Sequence, residues 1–145
     1  MIAELMNEVV SYERYENNEI FYIDKDGKDF SVKDTLSFSE WLIKKDNFPT
    51  IKVEGIETNA FVTSNFPRID FNTIHLFVQN KKGYSFDWHK DDTNVYLYVV
   101  KGRKKVFVDD EQHSVTFGDG IHITKGKKHK VESDNNTWAL SLGYE

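Results

Sequence analysis

The 145-residue chain contains no cysteine. That absence excludes disulfide scaffolds, thiolate zinc fingers, cysteine-ligated iron–sulfur clusters and cysteine nucleophiles together, so any metal is held by nitrogen and oxygen. Long apolar runs are missing as well: the longest, Val95 to Val100, falls far short of the roughly 20 residues that span a bilayer. The opening Met1-Ile-Ala-Glu-Leu-Met lacks the basic start of a signal peptide. Both features predict a cytoplasmic protein with no membrane partner. Positive charge is not in excess, the formal net charge being −5, and no groove-reading motif is present, so nucleic acid is not an expected partner.

What is present suffices for one packed domain: 39% of residues are hydrophobic and 14% aromatic. Residues 1–50 hold 11 Asp/Glu against 6 Lys/Arg, while residues 51–145 balance 13 against 13. Two basic clusters, Lys101 with Arg103, Lys104 and Lys105, and Lys125 with Lys127, Lys128 and Lys130, each adjoin a glycine that marks a turn. For most of these side chains the simple reading is solvation; the functional one is attraction of a small anion towards a cavity mouth.

Leu5, Val9 and Tyr12 recur at helical spacing and predict a short amphipathic helix within residues 1–16. Ile20–Ile23, Asp26-Gly27 and Phe30–Val32 predict a hairpin, because Asp-Gly supplies the positive φ of a tight turn. A second helix follows Ser37, with Glu40 as its capping-box partner, and ends before Pro49. From residue 51 short β-rich runs alternate with turns: Ile51–Val53, Thr73–Gln79, Tyr84–Asp91, Val95–Val100, Lys104–Val108, His113–Phe117, Ile121–Thr124, Lys130–Ser133 and Trp138–Tyr144. Such a series indicates a mainly β sandwich or barrel rather than a parallel α/β sheet. The chain therefore divides into a helix-and-hairpin layer, residues 1–50, and a β core, residues 51–145, within one domain.

In Trp88-His89-Lys90-Asp91, strand alternation puts His89 and Asp91 on one face, so an imidazole and a carboxylate can ligate one ion. A second imidazole from a neighbouring strand completes a two-histidine, one-carboxylate triad. The same parity sends Ser85 and Asp87 towards the ligands and Tyr84, Phe86 and Trp88 away from them. That aromatic face is expected to pack beneath the N-terminal helices or against a second subunit in a homodimer.

Gly118-Asp119-Gly-Ile-His-Ile-Thr124-Lys-Gly126-Lys-Lys-His129 resembles the second sequence motif of the cupin superfamily, and Gly83 to Gly102 occupies the place of the first. The commoner cupin pattern has a further histidine and a glutamate; here Asp91 replaces that histidine, and no glutamate lies between Asp92 and Gly102. The His-x-Asp form, followed by Val95-Tyr-Leu-Tyr-Val-Val-Lys-Gly102-Arg-Lys104, is similar to the Jumonji-C group of 2-oxoglutarate-dependent oxygenases, most of all to its asparaginyl-hydroxylase and ribosomal-oxygenase branches. The resemblance covers residues 71–145. It implies a double-stranded β-helix, the jelly-roll barrel of the cupins. It also implies iron(II) on His89, Asp91 and His129, 2-oxoglutarate as co-substrate, and Lys104 as partner of its distal carboxylate. Arg103 and Lys105 take that place if the register slips by one.

The chain departs from the family at two points. Thr124 stands where relatives have proline, and Phe77 and Phe86 stand where a tyrosine or threonine would help to hold the carboxylate. Ser85, His75, Tyr96 and Tyr98 are the candidates for that second contact. The resemblance further implies hydroxylation of a C–H bond in a small metabolite, amino acid or peptide. A metal-binding cupin that does not use 2-oxoglutarate, and a non-catalytic small-molecule binder, are the rival readings. His122 and His113 read as ordinary strand and turn residues.

Overall fold

Every side chain from Val95 to Val100 is apolar, and alternation sends half of them to each face of a strand, so that strand must be buried on both sides. The computed structural model of the chain, which describes residues 9–24, 26–60 and 71–145, and the backbone alone for Gly83–Phe86, shows why. Among the described residues the strands are β1 (Glu19–Ile23), β2 (Asp29–Ser31), β3 (Thr50–Glu54), β4 (Thr73–Gln79), β5 (Gly83–His89), β6 (Asn94–Lys101), β7 (Arg103–Val108), β8 (Glu111–Thr116), β9 (Gly120–Ile123), β10 (His129–Ser133) and β11 (Thr137–Tyr144). Seven form an antiparallel sheet in the order β2-β1-β3-β4-β11-β6-β9, and four form a second in the order β5-β10-β7-β8. From β4 onwards the chain passes back and forth between the two sheets, which winds them into the expected double-stranded β-helix.

Two apolar clusters follow from this arrangement. Leu97, Val99, Val106, Val115, Ile123, Val131 and Ala139 pack between the sheets. On the other face of the seven-stranded sheet, Ile51, Val53, Ile74, Leu76, Val78, Val100, Trp138, Leu140 and Leu142 meet Tyr12, Tyr15, Ile20 and Trp41 of the N-terminal layer. Strands β6 and β11 are thus sandwiched between two cores, and β4 between one core and a cavity lined by Thr73, His75 and Phe77. No helix among the described residues is long and apolar enough to cross a membrane.

The N-terminal layer is built largely as its sequence predicts. The β1–β2 hairpin pairs Tyr22 with Phe30 and turns at Gly27, whose φ is +80°. Helix α1 (Phe38–Lys44) is capped by Ser37, whose hydroxyl accepts the Glu40 N–H at 3.3 Å and donates to the Glu40 carboxylate at 3.0 Å. Of the predicted first helix, Leu5 lies outside the described residues. Over Tyr12–Tyr15 the chain is a 3-10 turn instead. The tighter winding eclipses residues three apart, so Tyr12 and Tyr15 both face the sheet, and Tyr12 packs edge-on to Trp41 at 5.5 Å.

Of the two places expected for Trp88, the structure rules out the one beneath the N-terminal layer. It is 38% exposed on the four-stranded sheet, edge-on to Phe107 at 6.5 Å, with Lys128 and Lys130 over its ring. The N-terminal layer covers the other sheet. The side chains of Tyr84 and Phe86 lie outside those described.

Gly102 turns β6 into β7 at φ +82°, and a Cβ there would meet Thr137 Oγ1 at 2.6 Å and the Asn136 carbonyl oxygen at 3.1 Å. Thr137 has no freedom to retreat, because its hydroxyl bridges the carbonyls of Arg103 at 3.2 Å and Asp134 at 2.8 Å. Gly102→Ala is therefore expected to cost about 1–3 kcal/mol through backbone strain, read as a lower urea midpoint with an unchanged slope.

Candidate metal centre

In an antiparallel pair, register decides which side chains meet across the strands. β10 pairs with β5 so that His129 faces His89, whereas Val131 faces Phe86. Three residues of β5 therefore span two of β10, which is a bulge. It breaks the alternation assumed from sequence: Asp87 is exposed rather than directed to the ligands. Its carbonyl is turned to accept from His89 Nδ1 at 2.7 Å. The same device recurs at His129, whose Nδ1 lies 2.9 Å from the carbonyl of Lys127. With Nδ1–H donated to a backbone oxygen, each ring leaves Nε2 as its lone-pair nitrogen, the tautomer a metal requires.

Both Nε2 atoms converge on Asp91. His129 Nε2 is 3.1 Å from Oδ2 and His89 Nε2 is 3.8 Å from Oδ1, and the two imidazole centroids are 4.2 Å apart. Asp91 lies just beyond the end of β5, where the prediction had extended the strand. It is held there because its carbonyl accepts the Gly126 N–H at 3.1 Å, while Asn94 Oδ1 accepts the Lys125 N–H at 2.9 Å. Ligand atoms of His89, Asp91 and His129 all fall within 4.8 Å of one another, the only such group among the described residues. Nitrogen, nitrogen and carboxylate oxygen at this spacing fit a divalent first-row metal. Three protein ligands would leave such an ion open to other molecules.

The group opens on a cavity of about 310 Å³ between the sheets. Lys104 reaches it from β7 and is 2% exposed. Among the described residues its ammonium has neither ion pair nor hydrogen bond, only the ring of Phe77 at 6.0 Å. Burial pushes its pKa down to about 8. His75 lines the same cavity, and burial lowers its pKa, so it is neutral above mildly acid pH. Neighbouring Arg103 pairs with Asp134 at 2.9 Å and is exposed, as is Lys105, so neither takes the place of Lys104.

Tyr96 does not reach the cavity. On β6 it is Val95 and Leu97 that face inwards, and Tyr96 and Tyr98 lie against the N-terminal core, with Tyr96 packed over Gly120. Ser85 stands on β5, and its side chain lies outside those described. His122 is exposed and contacts Tyr144, and His113 pairs with Glu111 at the surface.

Several cavity residues were not anticipated: Lys52, Thr73, Thr93 and Ser141. One signal was available. Along β11 the large side chains Trp138, Leu140 and Leu142 alternate with Ala139, Ser141 and Gly143, and a face of small residues inside a barrel leaves room for a ligand.

The hydrogen bond and charge of His129 hold the Asp91 carboxyl below its usual range. Burial disfavours the charged form of His129, but the bonds to Asp91 and the Lys127 carbonyl outweigh it and raise its pKa. The metal-free pair therefore stabilises the fold at pH values between the two shifted values. The His129 share fades as pH rises through its raised pKa, and the Asp91 share as pH falls through its lowered one. A metal must displace the His129 proton. Cobalt(II) or manganese(II) affinity is thus expected to fall about tenfold per pH unit below the His129 pKa, and to level off above it, in a titration by calorimetry.

The family model described as "Cupin domain" matches residues 76–142. No curated protein matches the sequence. Among solved structures, a ribosomal oxygenase from Escherichia coli, YcfD, in complex with cobalt and 2-oxoglutarate, superposes with a TM-score of 0.63 at 15% identity, over 94% of this chain and 44% of that one. Another structure of the same protein gives a TM-score of 0.62 at 16% identity, covering 96% and 42%. A protein of unknown function from Rhizobium leguminosarum gives 0.51 at 11% identity, covering 76% and 94%. This chain spans less than half the length of the E. coli oxygenase. Sheet topology and barrel winding make the fold a double-stranded β-helix, the cupin fold, with residues 76–142 similar to a cupin domain and a His-Asp-His group in the barrel wall.

Proposed function

We propose that the protein is an iron(II)- and 2-oxoglutarate-dependent oxygenase that hydroxylates a C–H bond of a small metabolite, amino acid or peptide. The observation that carries this reading is the placement in one cavity of the His89-Asp91-His129 group and the ammonium of Lys104, unpaired among the described residues. A metal and an anion thus each have a receptor, in a space the size of a small dicarboxylate with a few further atoms. The E. coli relative in fold was solved with cobalt and 2-oxoglutarate and with cobalt and succinic acid, which supports the same pairing here.

In this reading His89, Asp91 and His129 hold the metal through Nε2, a carboxylate oxygen and Nε2. Iron(II) with 2-oxoglutarate and dioxygen supplies the power to oxidise a C–H bond, releasing succinate and carbon dioxide. Lys104 donates to the distal carboxylate, and no carboxylate among the described residues competes for its charge. His75 and Ser141, in register across β4 and β11, offer the second polar contact from the cavity wall. Val95, Leu97, Ile123 and Val131 exclude water, which strengthens these interactions.

Anaerobic addition of iron(II) and 2-oxoglutarate should produce a visible metal-to-ligand charge-transfer band. Metal uptake without the band would favour a Lewis-acid cupin, and no uptake a binding protein. Asp91→Ala is expected to lower succinate formation at least about a hundredfold, because the remaining imidazoles cannot hold a divalent metal in place. Turnover that survives the change would end the proposal. Lys104→Met should raise the concentration of 2-oxoglutarate needed for the band by roughly 10- to 100-fold, the worth of a charge-assisted hydrogen bond, without removing the metal.

A further inference from the structure

Two lysines enter one cavity, and their surroundings are opposite. Lys104 is buried and, among the described residues, has neither ion pair nor hydrogen bond. Lys52, on β3 of the N-terminal side, has a side chain 12% exposed and is bound by two carboxylates, Asp29 of β2 and Glu54 of its own strand, the latter at 2.9 Å. Burial opposes its charge, but the two carboxylates more than compensate and raise its pKa. Lys52 lines the cavity and Asp29 and Glu54 do not, so the two carboxylates stand at its edge, bound to the ammonium.

An ammonium has three N–H donors. Two are committed to the carboxylates, and one remains. The three side chains together carry a charge of −1, so this end of the cavity repels a carboxylate while still offering a hydrogen bond. A neutral oxygen satisfies both conditions. The residue lies outside the stretch matched by the cupin-domain model, as do Thr73 and His75.

We propose that Lys52 is the specificity-determining residue for the second ligand of the cavity, and that it donates to a neutral carboxamide or hydroxyl oxygen while its surroundings reject a carboxylate. The substrate class that follows is an amide- or alcohol-bearing molecule or side chain. This rests on the reading that Lys104 takes the anionic co-substrate.

The test follows the ring-proton resonances of His75, which shares the cavity, in the full-length chain saturated with 2-oxoglutarate. Propionamide and propionate serve as probes at up to roughly 100 mM, enough to detect millimolar binding. Propionamide should shift His75 and propionate should not. Lys52→Met should abolish the propionamide shift. Because that variant leaves two carboxylates facing each other and can lose its fold, Asp29→Asn/Glu54→Gln provides a second arm. Unmasking the lysine charge there should reverse the preference by about tenfold or more in favour of propionate. The proposal is overturned if propionate binds the native chain as well as propionamide, if the double variant keeps the native preference, or if neither probe moves His75. Failure of the oxygenase reading shows separately, as a missing charge-transfer band. In that event the same preference is measured in Lys104→Met, where no anion competes.

Discussion

The out-of-step pairing of β10 with β5 is the constraint on which the site depends. Had the two strands run in strict register, His89 and His129 would not stand opposite each other with Val131 against Phe86. The extra residue on β5 swings the Asp87 carbonyl onto His89 Nδ1, and the turn before β10 brings the Lys127 carbonyl onto His129 Nδ1. Orientation and tautomer of both imidazoles are then set by backbone atoms, which no side-chain substitution removes. Asp91 completes the group only because the Thr124–Gly126 turn grips the loop that carries it.

That arrangement requires a rigid support, and the seven-stranded sheet provides it through its two cores. β4, β6 and β11 cannot tilt to suit the cavity without disturbing Trp138, Leu140 and Leu76 on their far side. The N-terminal layer is thereby tied to the site twice, once by packing behind the sheet and once by sending Lys52 into the cavity.

Most of the barrel was legible in the sequence because turn chemistry and alternation are local. Thr73–Gln79 coincides with β4, and the glycines at 102, 118 and 126 mark real turns, each at positive φ. His89, Asp91 and His129 were legible as motifs, and Lys104 as a spacing. What could not be read was decided by contacts between distant segments. Parity on β5 failed at Asp87 because a bulge is a property of two strands, not of one. Tyr96 looked available for an anion, yet the sheet face it shares with Val100 belongs to the N-terminal core. Lys52 alternates plainly with Ile51 and Val53, but nothing near it in sequence tells which face of β3 looks into the barrel.

The charge of Lys104, which no carboxylate among the described residues meets, also couples two properties usually considered apart. A cation withdrawn from water without a counter-charge weakens the fold that contains it. An anion that meets it removes this penalty, so tightness of ligand binding and resistance to unfolding become one linked quantity. The melting temperature of this protein should then serve as a gauge of how full its cavity is.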